Sequence, residues 1–332
     1  MIAGEPNSSH PVIDLRDIER AAEVIAPYVV TTPIVPSEVV SSKLGCQVAF
    51  KAENLQHVGA FKARGATNAV MGLDDDVAAR GVVTHSSGNH AAALARAASL
   101  RGIPAYVVMP ENSSETKIAA VRGYGVEPVF CEASNEAREE TAERVRLETD
   151  ATLIHPFDHP AVMAGQGTVG LEILRQIDPV DVILVPVGGG GLLAGILTAV
   201  KSLRPEVAVI AVEPEWANDA ARSLMIGKIQ MPTRYDTIAD GLRTALGANT
   251  FPIIRRLLNE ILLVEEDQIR TAMRSLAEEA HLVAEPSGAV TLAAIQQYPA
   301  RFTGLNVVAV VSGGNLSFGK CRLGQPAGSF DV

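Results

Sequence analysis

The 332 residues suffice for two domains of ordinary size, and 47% hydrophobic with 20% charged residues, 28 glycines and 19 prolines, exclude a disordered, collagen-like or coiled-coil chain. Lys and Arg number 28 against 38 Asp and Glu, and the formal net charge of −10 argues against nucleic acid and membrane surfaces as partners. Cys46, Cys131 and Cys321 stand in no disulfide or zinc spacing, residues 1–16 carry no apolar signal core, and runs such as 180–187 fall short of the roughly 20 residues a bilayer needs, which together fit a reducing, cytoplasmic compartment.

Taken in chain order, short β-branched runs alternate with helical stretches. Strands are predicted over 81–84, 105–109 and 128–130, each followed by a helix, over 91–100, 117–123 and 135–148. The pattern resumes with strand 182–185, helix 192–203, strand 207–212, helix 266–281 and strand 307–311, and Gly102 and Pro110 punctuate a helix end and a strand end. This succession specifies an α/β fold, and strands that are apolar throughout belong to mainly parallel sheets flanked by helices. Ligands of such sheets sit beyond the carboxyl ends of the strands. Three turns lie there: Ser86-Ser87-Gly88-Asn89-His90, the tetraglycine Gly188-Gly189-Gly190-Gly191, and Ser312-Gly313-Gly314-Asn315.

Read residue by residue, each feature has two explanations. The tetraglycine before Leu192 is either a tight strand-to-helix turn or a phosphate cradle whose N–H groups face inward at a helix N-terminus; it lacks the Walker and GxGxxG spacings. Lys62, one of seven lysines against 21 arginines, stands among small and apolar residues and is either a snorkelling surface lysine or an amine able to form an imine. The turn Ser86 to His90 either caps a helix or binds a carboxylate or phenolic oxygen. Ser312 either donates to a ring nitrogen or satisfies backbone. The segment from Glu213 to Asp219, which places two carboxylates six apart around a turn, is either a solvated acidic loop or a source of oxygen ligands for a hard cation. His10, His57, His155, His159 and His281 read as ordinary, and no G-x-S-x-G elbow supports serine hydrolysis.

Taken jointly over about 29–315, Phe61-Lys62-Ala63-Arg64-Gly65-Ala66, Ser86 to His90, the tetraglycine, Asp240-Gly241, Glu285-Pro286-Ser287-Gly288-Ala289 and Ser312 to Asn315 resemble the fold type II pyridoxal phosphate (PLP) enzymes, and within them the serine racemase and serine/threonine dehydratase family. The resemblance implies a tryptophan synthase beta-like fold of two open twisted sheets, with a large PLP-binding domain from 1–80 and 158–332 and a small mobile domain from 81–157. It implies that Lys62 carries PLP through an imine, that Phe61 packs beside the ring, that Asn89 bonds the phenolic oxygen, that Gly188 to Gly191 and Leu192 bind the phosphate and that Ser312 faces the pyridine nitrogen. Ser86, Ser87, Asn89 and His90 would hold the substrate carboxylate. Glu213, Ala217 and Asp219 match the family's site for magnesium, manganese or calcium, and a homodimer is expected.

The activity so implied is β-elimination of L-serine, L-threonine or threo-3-hydroxyaspartate to a 2-keto acid and ammonia. Lys62 would remove the Cα proton. Ser87 stands where racemases of the family carry a serine that works the opposite face, so a racemase is the alternative. Arg138 aligns with an arginine that meets a distal carboxylate, against the reading of a surface helix arginine. Phe157 after His155-Pro156 follows the dehydratases rather than animal racemases, which have asparagine there. A non-catalytic PLP-binding regulator is a third reading, and Lys62 speaks against it.

Overall fold

In the computed structural model, residues 12–86 and 88–316 are described; Ser87 and Cys321 lie outside the described residues. The chain opens with α1 (Leu15–Ile25), β1 (Ile34–Pro36), α2 (Glu38–Leu44), β2 (Gln47–Ala52), α3 (Lys62–Met71) and the single turn α4 (Asp75–Ala78). There follow β3 (Val82–His85), α5 (Asn89–Arg101), β4 (Ala105–Pro110), α6 (Glu115–Arg122), β5 (Val129–Cys131), α7 (Asn135–Thr149) and β6 (Thr152–Leu153). The remainder comprises α8 (Pro160–Gln176), β7 (Val182–Pro186), α9 (Gly191–Leu203), β8 (Ala208–Pro214), α10 (Asp219–Ile226), α11 (Thr250–Leu257), β9 (Glu260–Val264), α12 (Glu266–Glu279), α13 (Pro286–Gln297) and β10 (Asn306–Val311). Every predicted strand and helix forms, with small shifts at the ends. The helix expected to reach His281 stops at Glu279, because the Leu282 N–H turns back to the Leu276 carbonyl at 2.9 Å and His281 takes a left-handed φ of 56°.

The strands pair into two sheets. One has the order β1-β2-β10-β7-β8-β9 and is parallel except for β1; the other has the order β5-β4-β3-β6 and is parallel throughout. The α/β fold read from the sequence is therefore the one formed. β7 is buried along its whole length and β10 at all but its first residue, as continuous apolar strands require, and both faces of the larger sheet are covered: α12 and α13 line one side, α8, α9 and α11 the other.

Close helix contacts fix where Lys62 lies. A Cβ on Gly165 of α8 would come within 2.6 Å of the Gly65 Cα, and one on Gly195 of α9 within 2.5 Å of the Gly167 nitrogen, so α3, α8 and α9 stack backbone to backbone. Beneath α3, the fully buried Arg64 donates to Glu53 at 2.8 Å and Glu172 at 2.6 Å, and the buried Lys51 donates to Glu172 at 2.6 Å and the Thr32 carbonyl at 2.7 Å. Charges out of water persist only when paired in this way. Among the described residues no helix is long and apolar enough to cross a membrane.

Candidate active site

Lys62 begins α3 at the end of a segment pinned to the turn after β10. Phe61 N–H donates to the Ser312 carbonyl at 3.1 Å, Gly314 N–H to the Gly59 carbonyl at 2.9 Å, and Ala60 bridges to Gly313. Val58 takes a left-handed φ of 57°, a conformation a β-branched residue holds only when its surroundings impose it. The Lys62 ammonium donates to the Pro156 carbonyl at 2.8 Å and lies 5.1 Å from the centre of the Phe61 ring. Burial brings its amine down to about 8, against a smaller opposing pull from Glu285.

The tetraglycine follows β7 and opens α9. Gly190 has a φ of 87°, and a Cβ on Gly189 would lie 2.3 Å from the Phe157 ring, so the close approach admits no side chain. Thr250 Oγ1 holds the Gly189 carbonyl at 2.8 Å. The first-turn N–H groups of α9, Leu192 among them, have no carbonyl ahead of them in the helix, which leaves a cradle for an anion.

Asn89 begins α5, its Nδ2 donating to Glu285 Oε1 at 2.8 Å and its Oδ1 accepting from Asn315 Nδ2 at 2.8 Å. Ser86 Oγ accepts from Gly88 N–H at 3.3 Å. The His90 ring turns inward, with Nε2 3.3 Å from the Ile154 carbonyl, Nδ1 unpartnered and its basicity driven far down by burial and then by Lys62. That ring is a core group, so any ligand contact of His90 falls to its backbone. Ser312 is buried, its Oγ 3.5 Å from the Ser287 carbonyl. Arg138, half-buried on α7, donates through Nε to the Ser134 carbonyl at 3.3 Å, and its charge acts on His85 and Cys131, which puts it at the ends of β3 and β5.

Glu213 closes β8 with its oxygens accepting from Ala220 and Ala221 N–H at 2.8 and 3.0 Å. Beside it both oxygens of the buried Asp219 have no partner, and Ala217 lies in the turn between them. Burial raises Asp219 to about 7 and, with Asp219's charge, holds Glu213 well above the carboxylate range. The two orphaned oxygens of Asp219, beside the Glu213 carboxylate, are the donor chemistry a divalent cation would take, and such an ion would reverse both shifts.

Residues 25–313 match the family described as "Pyridoxal-phosphate dependent enzyme". The chain belongs to that family. As a member of the pyridoxal-phosphate dependent enzymes it is similar to a serine racemase of Oryza sativa, 44% identical over 322 residues that span 95% of each chain. It is 44% identical over 304 residues to a beta-hydroxyaspartate dehydratase of Paracoccus denitrificans, spanning 92% of this chain and 96% of that one. The solved maize serine racemase superposes with a TM-score of 0.90 at 43% identity, over 92% of this chain and 95% of that one. The family's cofactor fits the chemistry of the residues present: an amine of lowered basicity, a glycine turn packed too closely for side chains ahead of a helix N-terminus, an amide and a buried hydroxyl.

Other members of the site are not singled out by sequence. Glu285 stands there only as part of a motif, and Lys117, whose Nζ donates to Asp240 Oδ2 at 2.8 Å, belongs to none. His155, read as ordinary, lies beside the Lys62 partner Pro156: its ring meets His85 edge-on at 5.3 Å and Phe157 at 4.5 Å, and its Nδ1 accepts from Asp158 N–H at 2.9 Å. Burial and the neighbouring His85 and Lys62 bring it to about 3, so the ring is neutral.

Proposed function

We propose that the protein is a PLP-dependent dehydratase that converts a β-hydroxy amino acid to a 2-keto acid and ammonia. The observation that carries this reading is the placing of the Lys62 amine: it donates to the Pro156 carbonyl next to Phe157, which packs on the tetraglycine, while Phe61 is bonded to the Ser312 turn that adjoins Asn89. Gly188 to Gly191 with the Leu192 N–H would hold the cofactor phosphate, Asn89 its phenolic oxygen, Phe61 its ring and Ser312 its pyridine nitrogen. The bound cofactor supplies an electron sink for the Cα carbanion. The Ser312 hydroxyl would give that nitrogen a hydrogen bond without a counter-charge, which would favour loss of the β-hydroxyl. Lys62 in its neutral form would take the Cα proton. Ser86, Ser87, Asn89 and the His90 backbone would orient the substrate carboxylate.

Residues 81–157 form, in this reading, a small mobile domain that closes over the large domain of 1–80 and 158–332 and excludes water. Glu213, the Ala217 carbonyl and Asp219 would bind magnesium, manganese or calcium as a structural or activating ion. Arg138, whose charge is felt at His85, would meet the distal carboxylate of an acidic substrate, and the hydroxyaspartate dehydratase among the relatives supports the same choice. Buried free thiols at Cys46 and Cys131 fit a cytoplasmic location, and a homodimer is the expected assembly.

Racemisation is the second reading, favoured by Ser87 and by the serine racemase relative. The deciding assay gives the holoenzyme with magnesium L-serine, D-serine, L-threonine and threo-3-hydroxyaspartate in parallel and follows keto-acid release. Release from hydroxyaspartate that falls with Arg138→Ala while any serine turnover persists supports the dehydratase and its acidic substrate. Interconversion of serine enantiomers with little keto acid supports the racemase instead. Borohydride reduction that leaves no pyridoxyl group on Lys62 overturns both.

A further inference from the structure

Glu285 occupies the N-cap position of α13, where an acidic side chain ordinarily accepts from the first N–H groups of its own helix, yet it makes no such bond. Its carboxylate reaches out of the helix instead. Oε1 accepts from Asn89 Nδ2 on α5 at 2.8 Å and Oε2 from the Asn315 backbone N–H at 3.2 Å. Asn315 then completes a ring, donating through Nδ2 both to Asn89 Oδ1 at 2.8 Å and to the Val58 carbonyl at 2.7 Å. Glu285 is only 7% exposed, and the space it fills is closed to its neighbour, since a Cβ on Gly313 would meet Oε1 at 2.5 Å.

The two ends of an amide match in shape and oppose in chemistry. An ionised carboxylate only accepts and the Asn315 Nδ2 only donates, so a flipped Asn89 would set acceptor against acceptor and donor against donor. Asn315 cannot flip in compensation, because the Val58 carbonyl holds its nitrogen. Asn89 is thus fixed from two sides, with one N–H left over.

We propose that Glu285 and Asn315 are positioning residues that lock the Asn89 amide so that its remaining N–H is presented to the phenolic oxygen of the cofactor. The inference rests on the reading of Asn89 as a cofactor ligand. The lock also carries charge into the cleft: the charged groups facing Glu285 are Asp240 in the turn before Leu242, Lys117 on α6 and Lys62 on α3. Burial and Asp240 raise the Glu285 carboxyl to about 7, so the lock is set in alkaline solution and loosens through neutrality on acidification, when one oxygen becomes a donor.

The test compares holoenzyme of the parent with Glu285→Gln, Glu285→Ala, Asn315→Ala and Asn89→Ala, reading the visible absorption of the lysine-linked cofactor across the neutral pH range and its dissociation constant by dialysis. Misplacing one hydrogen bond should raise that constant roughly three- to tenfold and change the spectrum. Glutamine fills the same space but must set an N–H against either Asn89 or Asn315, so Glu285→Gln should resemble Glu285→Ala. Removing the negative charge should also move the pH midpoint of the visible band downward in both. A parental spectrum and midpoint in Glu285→Gln beside an altered Glu285→Ala overturns the proposal and reduces Glu285 to packing. If Glu285→Ala does not fold, Asn315→Ala, which removes no charge, decides by the same spectral change or its absence. An unchanged spectrum and affinity in Asn89→Ala overturns the reading of Asn89, and the proposal with it, whereas a change in Asn89→Ala alone overturns the proposal only.

Discussion

At pH 7 the Lys62 amine, brought to about 8, has roughly one molecule in ten unprotonated, against about one in three thousand for a lysine at the ordinary 10.5. Only the neutral amine attacks an aldehyde, so imine formation between cofactor-free protein and PLP should accelerate about tenfold per pH unit below pH 8 and level off above it. Stopped-flow absorbance checks this, and a rise continuing to pH 10 would mean the amine is not desolvated. The tetraglycine makes a comparable demand on space. Gly189→Ala sets a methyl 2.3 Å from the Phe157 ring, which should cost about 1–3 kcal/mol by thermal melting and weaken cofactor retention beyond that of an alanine at exposed Gly72.

At the scale of elements, α3 delivers Lys62 and is held from below by Arg64. Arg64→Met leaves Glu53 and Glu172 without their shared counter-charge, and the expected loss is about 3–5 kcal/mol. Burial alone would raise the Glu172 carboxyl, but Arg64 and Lys51 override it and hold it below the usual range. That stabilisation is complete above the unfolded carboxylate value and lost as pH falls through the folded one, so melting temperature against pH should show a shallower acid limb in the variant. The strands that lead into the turns were legible because β-branched runs bounded by glycine leave few alternatives, and the turns they lead into were legible for the same reason. The joints between those turns were not. Asn89 meets Glu285 across 196 positions and Asn315 across 226, and no local period or spacing records such a pairing. His155 is illegible for a related reason, since its surroundings come from β3 and the Phe157 turn rather than from its neighbours in sequence.

Over the whole molecule, the carboxylates of Glu213 and Asp219 repel each other in a buried place, and a divalent cation that binds only the folded chain should relieve them. Magnesium should raise the melting temperature with the logarithm of its concentration, by an amount equivalent to about 2.7 kcal/mol at a hundredfold excess over its dissociation constant. Asp219→Asn should start more stable without cation and gain nothing from it; an equal gain in both proteins would place the ion elsewhere. The order of the larger sheet reaches further than the site. β10, last of the described strands in the chain, lies in the middle between β2 and β7. During synthesis the two halves of that sheet must therefore wait, each with a bare edge, until residues 306–311 have left the ribosome, and the Ser312 turn arrives with them. A chain stalled or released before residues 306–311 would expose two unpaired strand edges, so β10 decides whether the larger sheet is closed or prone to aggregate.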